Sequence, residues 1–139
     1  AAQELALFQY LIGNTDWQIP FMHNVKIFKK EEQTAPIVVP YDFDCSGLVN
    51  TDYARVNPDF KQKEVRERIF MGVNNTHLEA SIALFQSKEE AIVSMIKDFD
   101  LLDKKVRKDV LKYVNSFYRI LNSKKEVKAA LQPLKHDFY

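Results

Sequence analysis

Val106, Val110, Tyr113, Phe117 and Ile120 recur every three or four residues, so they share one side of a helix and leave the intervening lysines and arginines on the other. The same spacing runs through Leu78, Ile82 and Phe85, and again through Ile92, Met95, Ile96 and Phe99. Three successive amphipathic stripes commit residues 78–121 to helices packed on one another, because each apolar face needs a neighbour to leave water. These stripes are read as core and not as a cofactor box. Val65 and Ile69 predict a further helix before them, and Val127, Leu131 and Leu134 a short one after. "SKEE" at 87–90 and "SKKE" at 123–126 place a serine three residues before a glutamate, the reciprocal capping pattern of a helix start. "KKVRK" at 104–108 falls where the longest helix should begin and reads as a solvated face.

Ahead of residue 60 the pattern is different. In "AAQELALFQYLIG", Leu5, Phe8 and Ile12 keep helical spacing while Leu7 and Leu11 fill a neighbouring face, which predicts a helix buried on most sides and stopped by Gly13. The stretch has neither an initiating methionine nor a capping residue, so the chain is expected to be the C-terminal part of a longer polypeptide. After the loop "NTDWQIPFMHN", the runs "VKIF" and "PIVVPY" flank the polar "KKEEQTA", the pattern of a hairpin with a long connection. Pro40 marks a strand end or an edge. A lone hairpin is marginal in water and must lie on the helices. The expected fold is therefore mainly α with a small β-hairpin, one domain over 1–139 whose front part, 1–50, precedes a helical part, 60–139.

Composition removes several classes of function. Twenty basic residues against nineteen acidic ones, with no block of one sign, give bulk electrostatics no pull toward nucleic acid or an anionic membrane. Cys45 is the one cysteine, which excludes an internal disulfide and a multi-cysteine metal cage but fixes no compartment. No run approaches the ~18 apolar residues of a membrane span. Three scattered glycines make no glycine-rich phosphate cradle. Trp17, Phe21 and Met22 read as core, and Arg55, Arg66 and Arg68 as solvent-facing or ion-paired.

"VVPYDFDCSGLVN", residues 38–50, carries the chemistry. Asp42, Asp44, Ser46 and Gly47 fit the first, third, fifth and sixth positions of a calcium loop, but the twelfth is Tyr53 and the preceding segment is strand-like, so two requirements fail. If the hairpin instead pairs symmetrically about Gln33, Asn24 stands opposite Asp42, next to the loop that carries Asp16. Three oxygen-bearing side chains at one mouth suit a hard cation such as magnesium. His23, adjacent to Asn24 on a strand, is expected on the opposite face with a structural hydrogen bond. The competing reading is that Asp16, Asp42 and Asp44 merely cap irregular backbone.

Taken in order, "IGNTDW", "HN", a hairpin and "PYDFD" resemble the catalytic segment of the atypical kinase-like proteins, the spore-coat CotH type and more loosely the HipA type. The resemblance covers roughly residues 5 to 50. It implies a kinase-like C-terminal lobe (α+β) of a bacterial protein, with magnesium and ATP as cofactors and a protein hydroxyl as acceptor. Asp16 would be the acceptor-side base, Asn24 and Asp42 metal ligands, and Asp44 a possible additional one. The nucleotide-covering lobe would precede Ala1, leaving this fragment inactive alone. One departure is plain: seven residues separate Asp16 from Asn24, where kinases proper have four. Two other functions stay open beside it, a non-catalytic binding or structural module with an unidentified protein partner, and a metal-dependent hydrolase.

Overall fold

A computed structural model describes residues 2–29, 36–72 and 76–133. The chain groups into two compact units, Ala1–Asn74 with Pro133–Tyr139, and Asn75–Gln132. The architecture is mainly helical with one small antiparallel sheet.

The first unit is built on α1 (Ala2–Ile12). Leu5, Ala6, Leu7, Tyr10, Leu11 and Ile12 are all buried, so this helix is covered on nearly every side. Phe8 meets Phe43 edge-on at 5.6 Å between ring centres, and Tyr10 meets Phe70 at 6.0 Å. The helix ends at Gly13, whose φ of 65° a side chain would resist. Its last carbonyls find partners from distant residues. Arg68 donates to Leu11 O from Nε and Nη2 at 3.3 and 3.2 Å, while Leu48 N–H reaches Ile12 O and Gly47 N–H reaches Gly13 O. The backbone following the aspartate motif is thereby fastened to the end of α1. Arg68, expected to face solvent or pair with a charge, also caps the end of α1.

Strands β1 (Val25–Phe28) and β2 (Ile37–Pro40) pair antiparallel, with Val25 opposite Pro40 and Phe28 opposite Ile37. This register is one residue off the symmetrical one. Asn24 lies opposite Tyr41, whose N–H donates to Asn24 O at 3.0 Å, and Asp42 falls just beyond the pair. β2 touches α1, and Val25 is 1% exposed, so one face of the ribbon is anchored as expected. Phe28, Ile37 and Val39 on the other face are open to solvent. Most of the "KKEEQTA" connection lies outside the described residues.

The helix expected from Val65 and Ile69 does not form; residues 63–67 are turns and bends and 68–70 have no regular structure. Side chains have taken over the backbone there. Gln62 Nε2 donates to Glu67 O at 2.7 Å and Glu67 Oε2 accepts from Lys63 N–H at 2.7 Å, bonds that compete with the helical ladder.

The second unit holds α2 (Leu78–Ser87), α3 (Glu89–Lys97), α4 (Lys104–Leu121) and α5 (Lys124–Ala130). Tyr113, Val114, Phe117, Tyr118 and Leu121 form the buried side of α4, with Phe117 edge-on to Phe85 at 5.9 Å and to Tyr118 at 5.1 Å. Burial pushes the Tyr118 hydroxyl up to about 12. Asp103 caps α4, accepting from Lys105 N–H and Val106 N–H at 2.8 and 3.0 Å. Lys104, Lys105 and Lys108 are exposed, as a solvated face should be, but Arg107 donates to Lys97 O and Phe99 O.

Two expectations about this unit need correction. Met95 and Phe99 are exposed and not core: α3 buries none of its residues and ends before Phe99. Ser87 caps nothing, because only Lys88 separates α2 from α3 and the serine hydroxyl donates back to Leu84 O at 2.7 Å. Ser123 does cap α5, accepting from Glu126 N–H at 3.3 Å. Leu134 lies outside the described residues. No helix among the described residues is long and apolar enough to cross a membrane.

Candidate functional site

The site begins where α1 stops. Asn14 is 1% exposed; its N–H bonds to Gln9 O at 2.9 Å and its Nδ2 to Gln9 Oε1 at 3.0 Å. Its Oδ1 accepts from Asp16 N–H at 2.9 Å, so a buried amide side chain shapes the turn that presents Asp16. Thr15 O accepts from Asn57 Nδ2 at 3.1 Å, and Trp17, 3% exposed, pins the next position into the core.

Beyond Trp17 the chain rises and returns. Gln18 and His23 exchange two backbone hydrogen bonds of 3.0 and 2.9 Å, and Met22 N–H donates to Ile19 O at 3.0 Å, closing a turn over residues 19–22. Phe21 and Met22 sit on that turn, 74% and 62% exposed, which overturns their reading as core while Trp17 keeps it. The turn brings His23 back onto Asp16, with Nε2 2.8 Å from Oδ1. Asn24 follows from the same side, its Nδ2 donating to Asp16 O at 2.8 Å and to Asp16 Oδ2 at 3.0 Å. His23 was expected to face away from Asn24. Alternation holds only for extended backbone, and here β1 starts at Val25 while Met22 and Asn24 have φ of 50° and 53°.

Asp42 reaches the same neighbourhood by a third left-handed residue, its own φ being 60°. The neighbouring Asp44 carboxylate, by repulsion and by hydrogen bonding, raises the Asp42 carboxyl above its ordinary value; Asp16 adds to the rise and His23 opposes it. Asp44 moves the other way. Tyr53 Oη donates to Asp44 Oδ2 at 2.9 Å, which holds this carboxyl below the usual range. Burial, together with Asp44, Asp16 and Asp42, pushes the Cys45 thiol up. The hydrogen bonds thus make two groups, Asp16 with His23 and Asn24, and Asp44 with Tyr53 and its neighbour Asp42; the charges of Asp16 and His23 are felt at Asp42, but the strand pair assumed from symmetry does not join Asn24 to it.

The continuation is a turn. Ser46 is fully buried, its N–H donates to Phe43 O at 3.0 Å, and its Oγ accepts from Val49 N–H at 3.4 Å. Thr51 Oγ1 donates to Asp44 O at 3.0 Å. Ser46 is thus part of the fold's own bonding and not an ion-facing oxygen, in keeping with the failed calcium pattern.

Among the described residues no three His, Cys, Asp or Glu side chains form a ready-made metal cluster. The donors present are of another kind: two neighbouring carboxylates, Asp42 and Asp44, and the Asn24 amide, whose Nδ2 is committed to Asp16 and whose Oδ1 accepts no protein hydrogen bond among the described residues. Carboxylates and a neutral amide oxygen are ligand types that magnesium accepts. Repulsion between Asp42 and Asp44 is the strain a cation would relieve.

Sequence reasoning missed Asn14, Tyr53 and the direct bond from His23. The spacing in "NTD" was a usable signal, since an asparagine two residues before an aspartate favours this turn. Tyr53 and His23 depend on left-handed backbone that no periodicity reveals. Comparison with known proteins found no matching family model, curated sequence or solved structure.

Proposed function

We propose that this chain carries the acceptor and metal side of a kinase-like phosphotransferase, which in the full-length protein moves the terminal phosphoryl group of magnesium-bound ATP to a hydroxyl on a protein. The observation that carries the reading is that Asn24, at the root of β1, hydrogen-bonds Asp16 in the loop after α1, while the Asp42–Asp44 pair that follows β2 lies within the electrostatic reach of Asp16 and His23. The order helix, loop, hairpin and aspartate motif matches the resemblance to the CotH-type and HipA-type proteins, and supports a kinase-like C-terminal lobe.

Asp42 and the Asn24 Oδ1 would hold the ion, with Asp44, whose carboxyl the Tyr53 hydroxyl lowers, as a further oxygen donor. The bound magnesium neutralises charge on the phosphates. Asp16 faces the acceptor and takes the hydroxyl proton as the acceptor oxygen bonds to phosphorus and the phosphorus–oxygen bond to ADP breaks. Asn24 joins the two halves of this work, because its Nδ2 grips the base while its Oδ1 serves the metal.

The test is magnesium-dependent phosphoprotein formation by the full-length protein against Asp42→Ala. Loss of an electrostatic stabiliser of this kind costs about a hundredfold or more in kcat. A variant with undiminished transfer removes Asp42 from the metal site. Free phosphate without a labelled acceptor would instead identify a hydrolase.

A second reading has its own support. Asp44 accepts from Tyr53, and both Asp16 oxygens are engaged by neighbouring side chains, bonds that would equally suit a non-catalytic module held together by its carboxylates. That module binds no magnesium nucleotide and keeps its function with alanine at Asp16 or Asp42, the Asp16 variant losing only the small stability that its exposed hydrogen bonds supply.

A further inference from the structure

Two adjacent donors grip the Asp16 carboxylate, and the resemblance on which the phosphotransfer reading rests gives a role to only one of them, Asn24. Asn24 Nδ2 holds Oδ2 and the Asp16 carbonyl; His23 Nε2 holds Oδ1 at 2.8 Å. A carboxylate only accepts hydrogen bonds, so the ring proton is on His23 Nε2. We propose that His23 is a positioning residue for phosphoryl transfer, fixing the rotation of the Asp16 carboxylate toward the acceptor hydroxyl. The proposal deepens the phosphotransferase reading and rests on it.

The torsion that turns a carboxylate about its last bond is broad and two-fold, so one donor leaves it loosely set. Asp16 is half-exposed, and the packing around it offers little restraint. A second donor on the other oxygen removes the remaining freedom. His23 is itself held, through the paired backbone bonds to Gln18 and the turn over residues 19–22. The long spacing between Asp16 and Asn24 thus has a physical use: the additional residues form a turn whose return limb delivers His23 to the base.

Stability alone does not account for this arrangement. The His23–Asp16 pair is solvent-exposed, where ion pairs and hydrogen bonds contribute little. Met22 and Asn24, on either side of His23, both occupy left-handed backbone, and Met22 does so without the local hydrogen-bonding that eases asparagine into it. Backbone strain kept beside a weakly stabilising pair is the pattern of a positioned functional group.

The experiment compares wild type, His23→Ala and His23→Gln in the full-length protein, measuring kcat for phosphoprotein formation, KM for ATP and the melting temperature. Misplacing a reacting group by about an ångström can cost about a hundredfold, so His23→Ala is expected to lose about 10- to 100-fold in kcat with KM for ATP and melting temperature unchanged. His23→Gln, which restores an N–H donor of similar reach, is expected to recover most of the loss. A wild-type kcat in His23→Ala overturns the proposal and leaves the phosphotransferase reading standing, and so does equal impairment of both variants with a matching fall in melting temperature. A wild-type protein that transfers no phosphate overturns both.

Discussion

The two units satisfy their polar backbone in different ways. From residue 76 to 132 the chain is nearly continuous helix, its ladder groups paired internally and its later helix starts covered by Asp103 and Ser123. Between Gly13 and Asn57 the same obligations fall on side chains: Asn14, Asn24, Thr51 and Asn57 all bond to distant backbone or to one another's neighbours. Left-handed residues divide likewise, with Met22, Asn24, Asp42 and Asn50 in the first unit and His77 in the second. Packing of apolar faces builds the helical unit, whereas a polar framework shapes the region that holds the carboxylates. Such a framework sets angles that helices cannot reach, and each bond in it has one purpose and no substitute.

This contrast can be broken by experiment. Phe117→Ala empties the centre of the helical unit, where the ring is fully buried against Phe85 and Tyr118, and is expected to cost about 3–5 kcal/mol in urea unfolding. Asn14→Ala removes no comparable volume but leaves Gln9 Oε1 and Asp16 N–H without their partner. The expected loss is about 1–3 kcal/mol, together with reduced phosphoryl transfer because Asp16 is no longer presented. If Asn14→Ala proves the more damaging to stability, the division between packed unit and polar framework is wrong.

The smallest effect is a pH dependence. Backbone N–H groups of Val106 and Lys105 lower the Asp103 carboxyl in the folded state. A depressed folded value means that the cap stabilises above the ordinary aspartate range and that this contribution fades as pH falls through the folded value. Asp103→Asn keeps a capping oxygen without the charge, so its urea midpoint should change less than that of wild type over that acidic interval. Parallel midpoints would remove Asp103 from the acid sensitivity of α4.

Much of the helical unit was legible because burial follows period. Leu78, Phe85, Tyr113 and Phe117 fall on helices that their spacing predicts. Period fails where a face has no neighbour to cover it, as at Met95, or where side chains outbid the ladder, as between Gln62 and Glu67. The hairpin was visible but its register was not. "IVVPY" is apolar at every position, so alternation gives no reason to prefer one pairing over the next. Asp16, Asn24, Asp42 and Asp44 stood out as polar residues beside apolar runs, and the fold joins Asn24 to Asp16 and sets Asp42 beside Asp44. Asn14 and Tyr53 as partners of the aspartates, and the side on which His23 makes its hydrogen bond, escaped notice because they arise from turns and left-handed residues, whose sequence cost is too small to read locally.

Asn24 belongs to two bodies at once: its carbonyl continues the ribbon through Tyr41, and its amide is clasped to Asp16. The ribbon and the carboxylate therefore share one residue, and the side chain that orients Asp16 is anchored where β1 begins.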